Sequence, residues 1–168
     1  FVVDTPAMHG GSCPTTESQT CPYTTCGYHL LKNCAWNSGG AGVTLTGSNL
    51  KEIAVDTELT SSQEQSTNEA FWKKTTDPDD SVVGSVVRCY SDSLGKGASN
   101  RDNVNGCYAT EVSYNQAKTF CENLVTTDDE WVASDWRLPK TYDEAAKACG
   151  SGCSYDAKFI WMDESYTV

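Results

Sequence analysis

Nine cysteines in 168 residues constrain this chain more than any other feature. They stand at Cys13, Cys21, Cys26, Cys34, Cys89, Cys107, Cys121, Cys149 and Cys153. A structural zinc site calls for short paired spacings such as C-x2-C twice. The first four are instead spaced C-x7-C-x4-C-x7-C, and the chain has only two histidines, His9 and His29. Disulfides formed in an oxidising compartment account for the pattern, so an extracellular, secreted protein is expected. Phe1 opens the chain with no charged and apolar leader, as in a product whose signal peptide has been removed. Because nine is odd, one cysteine is free, bonded to another chain, or paired outside this sequence. Cys149-Gly150-Ser151-Gly152-Cys153 reads as a tight local disulfide, since two glycines let the backbone fold back.

Charge narrows the partners. Against 12 Lys and Arg stand 23 Asp and Glu, for a formal net charge of −11. Binding to nucleic acid needs clustered cations, so this balance argues against it. No apolar run approaches the ~20 residues that span a bilayer, and membrane insertion is not expected. Only 38% of the residues are hydrophobic, although 5 Trp, 8 Tyr and 4 Phe supply bulky core anchors. No N-x-[ST] sequon occurs, so sugar on this chain would have to be O-linked to its Ser and Thr residues; plain solvated loops explain them too.

Along the chain, residues 1–41 form an irregular Cys-rich extension, and 42–168 the remaining domain. The opening Phe1-Val2-Val3 is apolar enough for a strand and could pair with a sheet edge in its own or another molecule. Val43 and Leu45 alternate with threonines before a turn at Gly47-Ser48-Asn49, and 50–55 then reads as the second arm of a hairpin or as a helix. Residues 57–69 are loop or weak helix. Residues 70–73 and 81–90 read as strands joined by the acidic turn 75–80, the second strand central and buried on both faces. The stretch 91–106 reads as a linker. Capping boxes at Ser113-x-x-Gln116 and Thr141-x-x-Glu144 then open two helices, with Gly150 placed for a left-handed C-cap. Phe159-Ile160-Trp161-Met162 reads as a buried strand.

One constellation is more specific: the helix Tyr114–Leu124 with Ala117-x-x-x-Cys121, followed by Asp135-Trp136-Arg137-Leu138-Pro139-Lys140-Thr141. It resembles the C-type-lectin-like superfamily, in particular the surface domains of the Lcl C-terminal and Fib-succ-major type, over residues 107–163. Lys140 before Thr141 is a one-residue departure from their D-W-R-L-P-T. Ser85-Val86-Val87-Arg88-Cys89-Tyr90, within 82–92, is similar to the closing strand of those domains, whose cysteine pairs with the helix cysteine. The resemblance therefore implies a Cys89–Cys121 bond. It also implies an α+β, lectin-like fold with two helices on a small antiparallel sheet. The family's closing strand follows its W-R-L-P helix, whereas here it comes first. Circular permutation, completion by a neighbouring subunit and chance similarity all fit that order.

Sites for chemistry are sparse. The family's calcium motifs are missing, and Asp77, Asp79 and Asp80 are the nearest oxygen ligands for calcium, in a turn that solvation explains equally well. No G-x-S-x-G elbow frames a serine, and both histidines lie in the leader. Cys149 and Cys153 could imitate the cysteine pair of the related formylglycine-generating oxidases, but a structural disulfide fits the compartment better. Trp131, between Glu130 and Val132, is the tryptophan least explained by core packing. No cofactor and no enzymatic activity are expected. The expected function is a secreted structural protein, a subunit of an extracellular filament or surface assembly linked to its own copies by strand exchange through Phe1–Val3. The alternative is a lectin-like module that recognises glycan or protein at a cell surface.

Overall fold

The structure, a computed structural model, describes residues 27–36, 41–46, 48–99, 107–126 and 128–164. In chain order the elements are β1 (Tyr28–Lys32), β2 (Leu50–Glu52), α1 (Ser61–Glu64), β3 (Ala70–Thr75), β4 (Ser85–Val86), β5 (Cys89–Ser91), β6 (Lys96–Ala98), α2 (Tyr114–Glu122), β7 (Trp136–Arg137), α3 (Tyr142–Ala146) and β8 (Phe159–Trp161). They form a mixed α+β fold with two sheets. The larger has the order β2-β3-β1-β8-β4 and the smaller β6-β5-β7. The proposed donor strand Phe1–Val3, with His9, Cys13, Cys21 and Cys26, lies outside the described residues.

The sheet is not purely antiparallel as expected. β1 runs antiparallel to β3 and β8, but β2 pairs parallel with β3 and β4 parallel with β8. Its middle strand, β1, falls inside the segment set apart as an irregular leader. Tyr28-His29-Leu30-Leu31-Lys32 is buried along its whole length. Tyr28 and Leu30 join one core, with Phe71, Phe159, Trp161, Cys121 and Trp136. Leu31 joins the other, with Val86, Ala145, Tyr155, Ile160 and Met162. Alternation along the strand thus feeds layers on both faces of the sheet. Three cations are buried with it: Lys32, Lys73 and Arg88 are each at most 1% exposed.

Two further expectations are corrected. No hairpin forms over 43–55: β2 takes β3 as its partner, and Gly42 makes only an isolated bridge to Cys34. Residues 81–90 are not one strand. Gly84 turns left-handed (φ 73°) ahead of β4, and the chain then leaves the large sheet to enter the small one as β5. The stretch taken for a linker contains β6, which closes a hairpin on β5. At Gly97 a Cβ would lie 2.7 Å from the Ala148 nitrogen, so only glycine lets this strand approach the chain beyond α3 so closely.

Both predicted longer helices form where their caps place them. Ser113 accepts from the Gln116 amide while the Gln116 side chain returns to the Ser113 amide. Tyr114, Ala117 and Cys121 make the buried face of α2. Thr141 caps α3, so the extra Lys140 lengthens the approach and leaves threonine as the cap.

Disulfides join Cys34 to Cys149, Cys89 to Cys121 and Cys107 to Cys153. The Cys89–Cys121 link is the one the resemblance implies. The local Cys149–Cys153 bond does not form. Gly150, Gly152, Cys153 and Ser154 all have positive φ, and the chain turns so that each cysteine meets a distant partner. With Cys89–Cys121, the β5–β7 pairing and the β4–β8 pairing, residues 82–92 meet the later segments inside a single chain.

Candidate functional site

The D-W-R-L-P segment lies where β7, the β5–β6 turn and α3 converge. Asp135 Oδ1 accepts from Ser91 Oγ at 2.6 Å and Ser93 Oγ at 2.9 Å, and its Oδ2 accepts from the Ser93 amide at 2.7 Å. Those bonds, the Ser91 hydroxyl first and against the effect of burial, hold its carboxyl below the ordinary range. Arg137 reaches two carboxylates at once. Its Nε and Nη2 donate to Asp92 at 2.9 and 2.7 Å, and its Nη1 and Nη2 donate to Glu144 at 2.9 and 3.0 Å. A further Nη1 bond of 2.9 Å goes to the Leu138 carbonyl. A guanidinium has five N–H donors, so none is left for a ligand. Leu138 is buried in the main core, and the Pro139 carbonyl accepts from the Asp163 amide at 2.8 Å. The Asp135 carboxylate, the Arg137 guanidinium, Leu138 and the Pro139 carbonyl are all taken up in construction, while the buried Trp136 Nε1 has no hydrogen-bond partner among the described residues.

Trp136 is buried, and its ring stacks on Trp131 at 6.5 Å and 17°. Lys96 Nζ lies 4.7 Å from the Trp131 ring centre, on the half-buried outer ring of the stack.

A second feature is a cleft of about 110 Å³ between the loop before α1, the Val83-Gly84 turn and the start of β8. Its lining includes Lys73, Phe159, Glu58, Glu64, Glu111 and Lys158. Lys73 Nζ donates to the Val83 carbonyl at 2.9 Å and lies 4.5 Å over the Phe159 ring. Burial lowers its pKa, opposed by Asp56 and Glu58. Glu111 has φ 59°, a left-handed conformation that costs a non-glycine residue about 1 kcal/mol, and its amide donates to the Ser85 carbonyl at 2.8 Å. The lining contributes no histidine, serine or cysteine, so a nucleophile held by a base and an orienting group is not assembled there. What remains is one low-pKa amine under an acidic rim, which can hold a small polar group.

The other expected site residues are dispersed. Asp80 accepts from Thr75 Oγ1 at 2.7 Å, Asp77 from the Asp79 amide at 2.9 Å, and Asp79 from Asn115 Nδ2 at 2.8 Å. Each aspartate thus takes a different local donor, tying the turn to β3 and to α2. Among the described residues no group of three or more His, Cys, Asp or Glu is arranged to hold a metal ion. His29 lies on β1 with its ring 5.7 Å from Trp72, and burial, with Lys74, lowers its pKa against Glu52. Sequence reasoning missed the buried cations. A lysine in Tyr28-His29-Leu30-Leu31-Lys32 reads as exposed, and only the carbonyls of Gln63 and Glu64, 3.1 and 2.8 Å from Lys32 Nζ, explain its burial.

Among the described residues no helix is long and apolar enough to cross a membrane. Comparison of the chain with known protein families, with curated proteins and with solved structures finds no match.

Proposed function

We propose that this chain is a non-enzymatic, extracellular structural domain of C-type-lectin-like architecture, a subunit of a filament or surface assembly. The observation that carries the reading is the use made of its one specific motif: Asp135, Arg137 and Glu144 fasten three elements together and leave no donor on Arg137 for a substrate. Three disulfides fixing the same frame are consistent with life outside the cell. Strand exchange would bring Phe1–Val3 of one copy to an edge of the next, and β2 is an edge strand whose Lys51 and Glu52 are exposed. Such head-to-tail contacts propagate without closing. Light scattering and negative-stain microscopy test this. Oligomers that survive dilution and vanish on deleting residues 1–10 are expected, and a monomer at every concentration overturns the reading.

The half-buried Trp131, stacked on Trp136 and with the Lys96 ammonium 4.7 Å from its ring centre, favours a second reading, recognition of glycan or protein through this region. Calcium-dependent retention of a monomer on a glycan array, lost in Trp131→Ala, would favour it over assembly.

A further inference from the structure

The Cys34–Cys149 bond ends on a sulfur surrounded by donors that have no better acceptor. Arg88 is 1% exposed, and its guanidinium is held on two sides: Nε donates to Ser99 Oγ at 2.7 Å, and Nη2 to Asp156 Oδ1 at 2.9 Å and to the Gly152 carbonyl at 3.4 Å. Its Nη1 points at Cys34 Sγ, 3.3 Å away. A disulfide sulfur is a weak acceptor, whereas a thiolate is a strong one. The Asn33 amide adds a second donor. Its Oδ1 lies 3.6 Å from the same sulfur, which carries no proton to give it, while its Nδ2 is buried with no hydrogen-bond partner among the described residues. Turned over, that amide would direct an N–H at the sulfur. Cys34 itself is 2% exposed, but Cys149 is only half buried.

We propose that Cys34–Cys149 is a thiol-exchange site. An incoming thiol, deprotonated to solvent, attacks Cys149 Sγ. A new sulfur–sulfur bond forms there, the Cys34–Cys149 bond breaks, and its electron pair leaves on Cys34 as a thiolate received by Arg88 Nη1 and the Asn33 amide. One disulfide is exchanged for another, so no oxidant is needed. Among the described residues, the other two bonds lack this receptor. Cys121 Sγ faces the Arg88 carbonyl at 3.8 Å, the wrong end of a dipole for a thiolate, and Cys89 and Cys121 are fully buried. Cys107 is exposed, and among the described residues no cation contact to Cys107 or Cys153 accompanies their bond. The site stands apart from the assembly reading, although assembly would supply one thiol. Nine cysteines less the six paired here leave three, Cys13, Cys21 and Cys26, and an odd number cannot all pair within the chain.

The test equilibrates the folded chain with glutathione and its disulfide, quenches in acid, alkylates and maps the peptides. Opening of Cys34–Cys149 is expected with an equilibrium constant about tenfold above either other bond, with glutathione on Cys149 and alkylated Cys34. A larger constant for Cys107–Cys153, the outcome that exposure alone would give, or glutathione on Cys34, overturns the proposal. Arg88→Lys is expected to lower the constant about tenfold, Asn33→Asp to lower it by setting a carboxylate beside the thiolate, and Asp156→Asn to raise it by freeing the guanidinium charge. General loosening of the fold would shift all three in one direction, and that result also refutes the idea. Without glutathione, a Cys149 link to Cys13, Cys21 or Cys26 of a second copy names the chain itself as thiol source. Glutathione adducts alone name a small thiol; either confirms exchange at Cys149.

Discussion

Glu144 and Asp92 both receive two hydrogen bonds from Arg137, and burial together with one further donor distinguishes what they contribute. The Asp92 side chain is 61% exposed and Glu144 18%. Glu144 also accepts from the Lys140 amide at 2.6 Å, so Glu144→Gln, with one carbonyl oxygen, cannot satisfy all three donors. At least one donor of the half-buried guanidinium or of the Lys140 amide is then left facing the glutamine NH2 group and the ion pair is lost, a change worth about 2–3 kcal/mol, or a fall of about 5–10 °C in Tm. Asp92→Asn removes a charge that water already screens and should cost about 0.5 kcal/mol or less. Urea unfolding at pH 7 with the disulfides intact measures both. The pH dependence adds a second reading. Burial acts to raise the Glu144 pKa, but the Arg137 and Lys140 hydrogen bonds outweigh it and the folded pKa lies below the ordinary value. Its stabilisation is therefore present above the unfolded pKa and lost as pH falls through the lower, folded one. Wild-type protein should lose stability below about pH 4 more steeply than Glu144→Gln. Equal losses for the two substitutions would refute the argument that burial and the Lys140 bond set their worth.

Three further outcomes follow from the geometry. Gly97→Ala should destabilise by about 2 kcal/mol or more, because its methyl meets the Ala148 backbone; an unchanged urea midpoint would contradict the close approach. Non-reducing peptide mapping should recover Cys34–Cys149, Cys89–Cys121 and Cys107–Cys153, and a Cys149–Cys153 peptide would overturn the arrangement of the loop after α3. Burial pushes the Lys32 pKa down to about 8, against Glu64 and Asp156. The unfolded lysine therefore binds more protons between about pH 8 and 10.5, and stability rises with pH across that window. The wild type should gain on Lys32→Met over the same range, and a constant difference between them would show that Lys32 does not titrate there.

Local signals were legible and long-range ones were not. The N-cap signals of α2 and α3 lie within four residues of sequence, and both helices begin where Ser113 and Thr141 place them, although only α2 closes a full capping box: Glu144 takes the Lys140 amide instead of that of Thr141. The apolar run 159–161 is short and continuous, and it is a buried strand. β1 was hidden because His29 and Lys32 break any apolar pattern, and the groups that make a buried lysine tolerable lie on α1, 31 and 32 residues away. The valines of 82–87 gave no warning of two sheets, since β propensity says that a segment is extended and nothing of which neighbour it pairs with. Spacing favoured Cys149–Cys153 for the same reason: it sees only short loops, and the Cys34 partner is 115 residues distant. At the candidate site, Asp135 and Arg137 were visible as a motif, but only their contacts reveal that they serve the frame. The cleft around Lys73 draws on five separate segments and left no trace in the sequence.

The place of β1 between β3 and β8 has a consequence for biosynthesis. During synthesis the middle strand emerges early and the strand that must lie against it emerges more than a hundred residues later, so the sheet stays open along one side for most of translation. Cys34 is made 115 residues before its mate, and Cys89, Cys107 and Cys121 are all made in between. Where oxidation runs alongside synthesis, a crosslink of Cys34 to one of these three has to be exchanged for the Cys149 bond once β8 has docked, a slow step for thiol–disulfide chemistry.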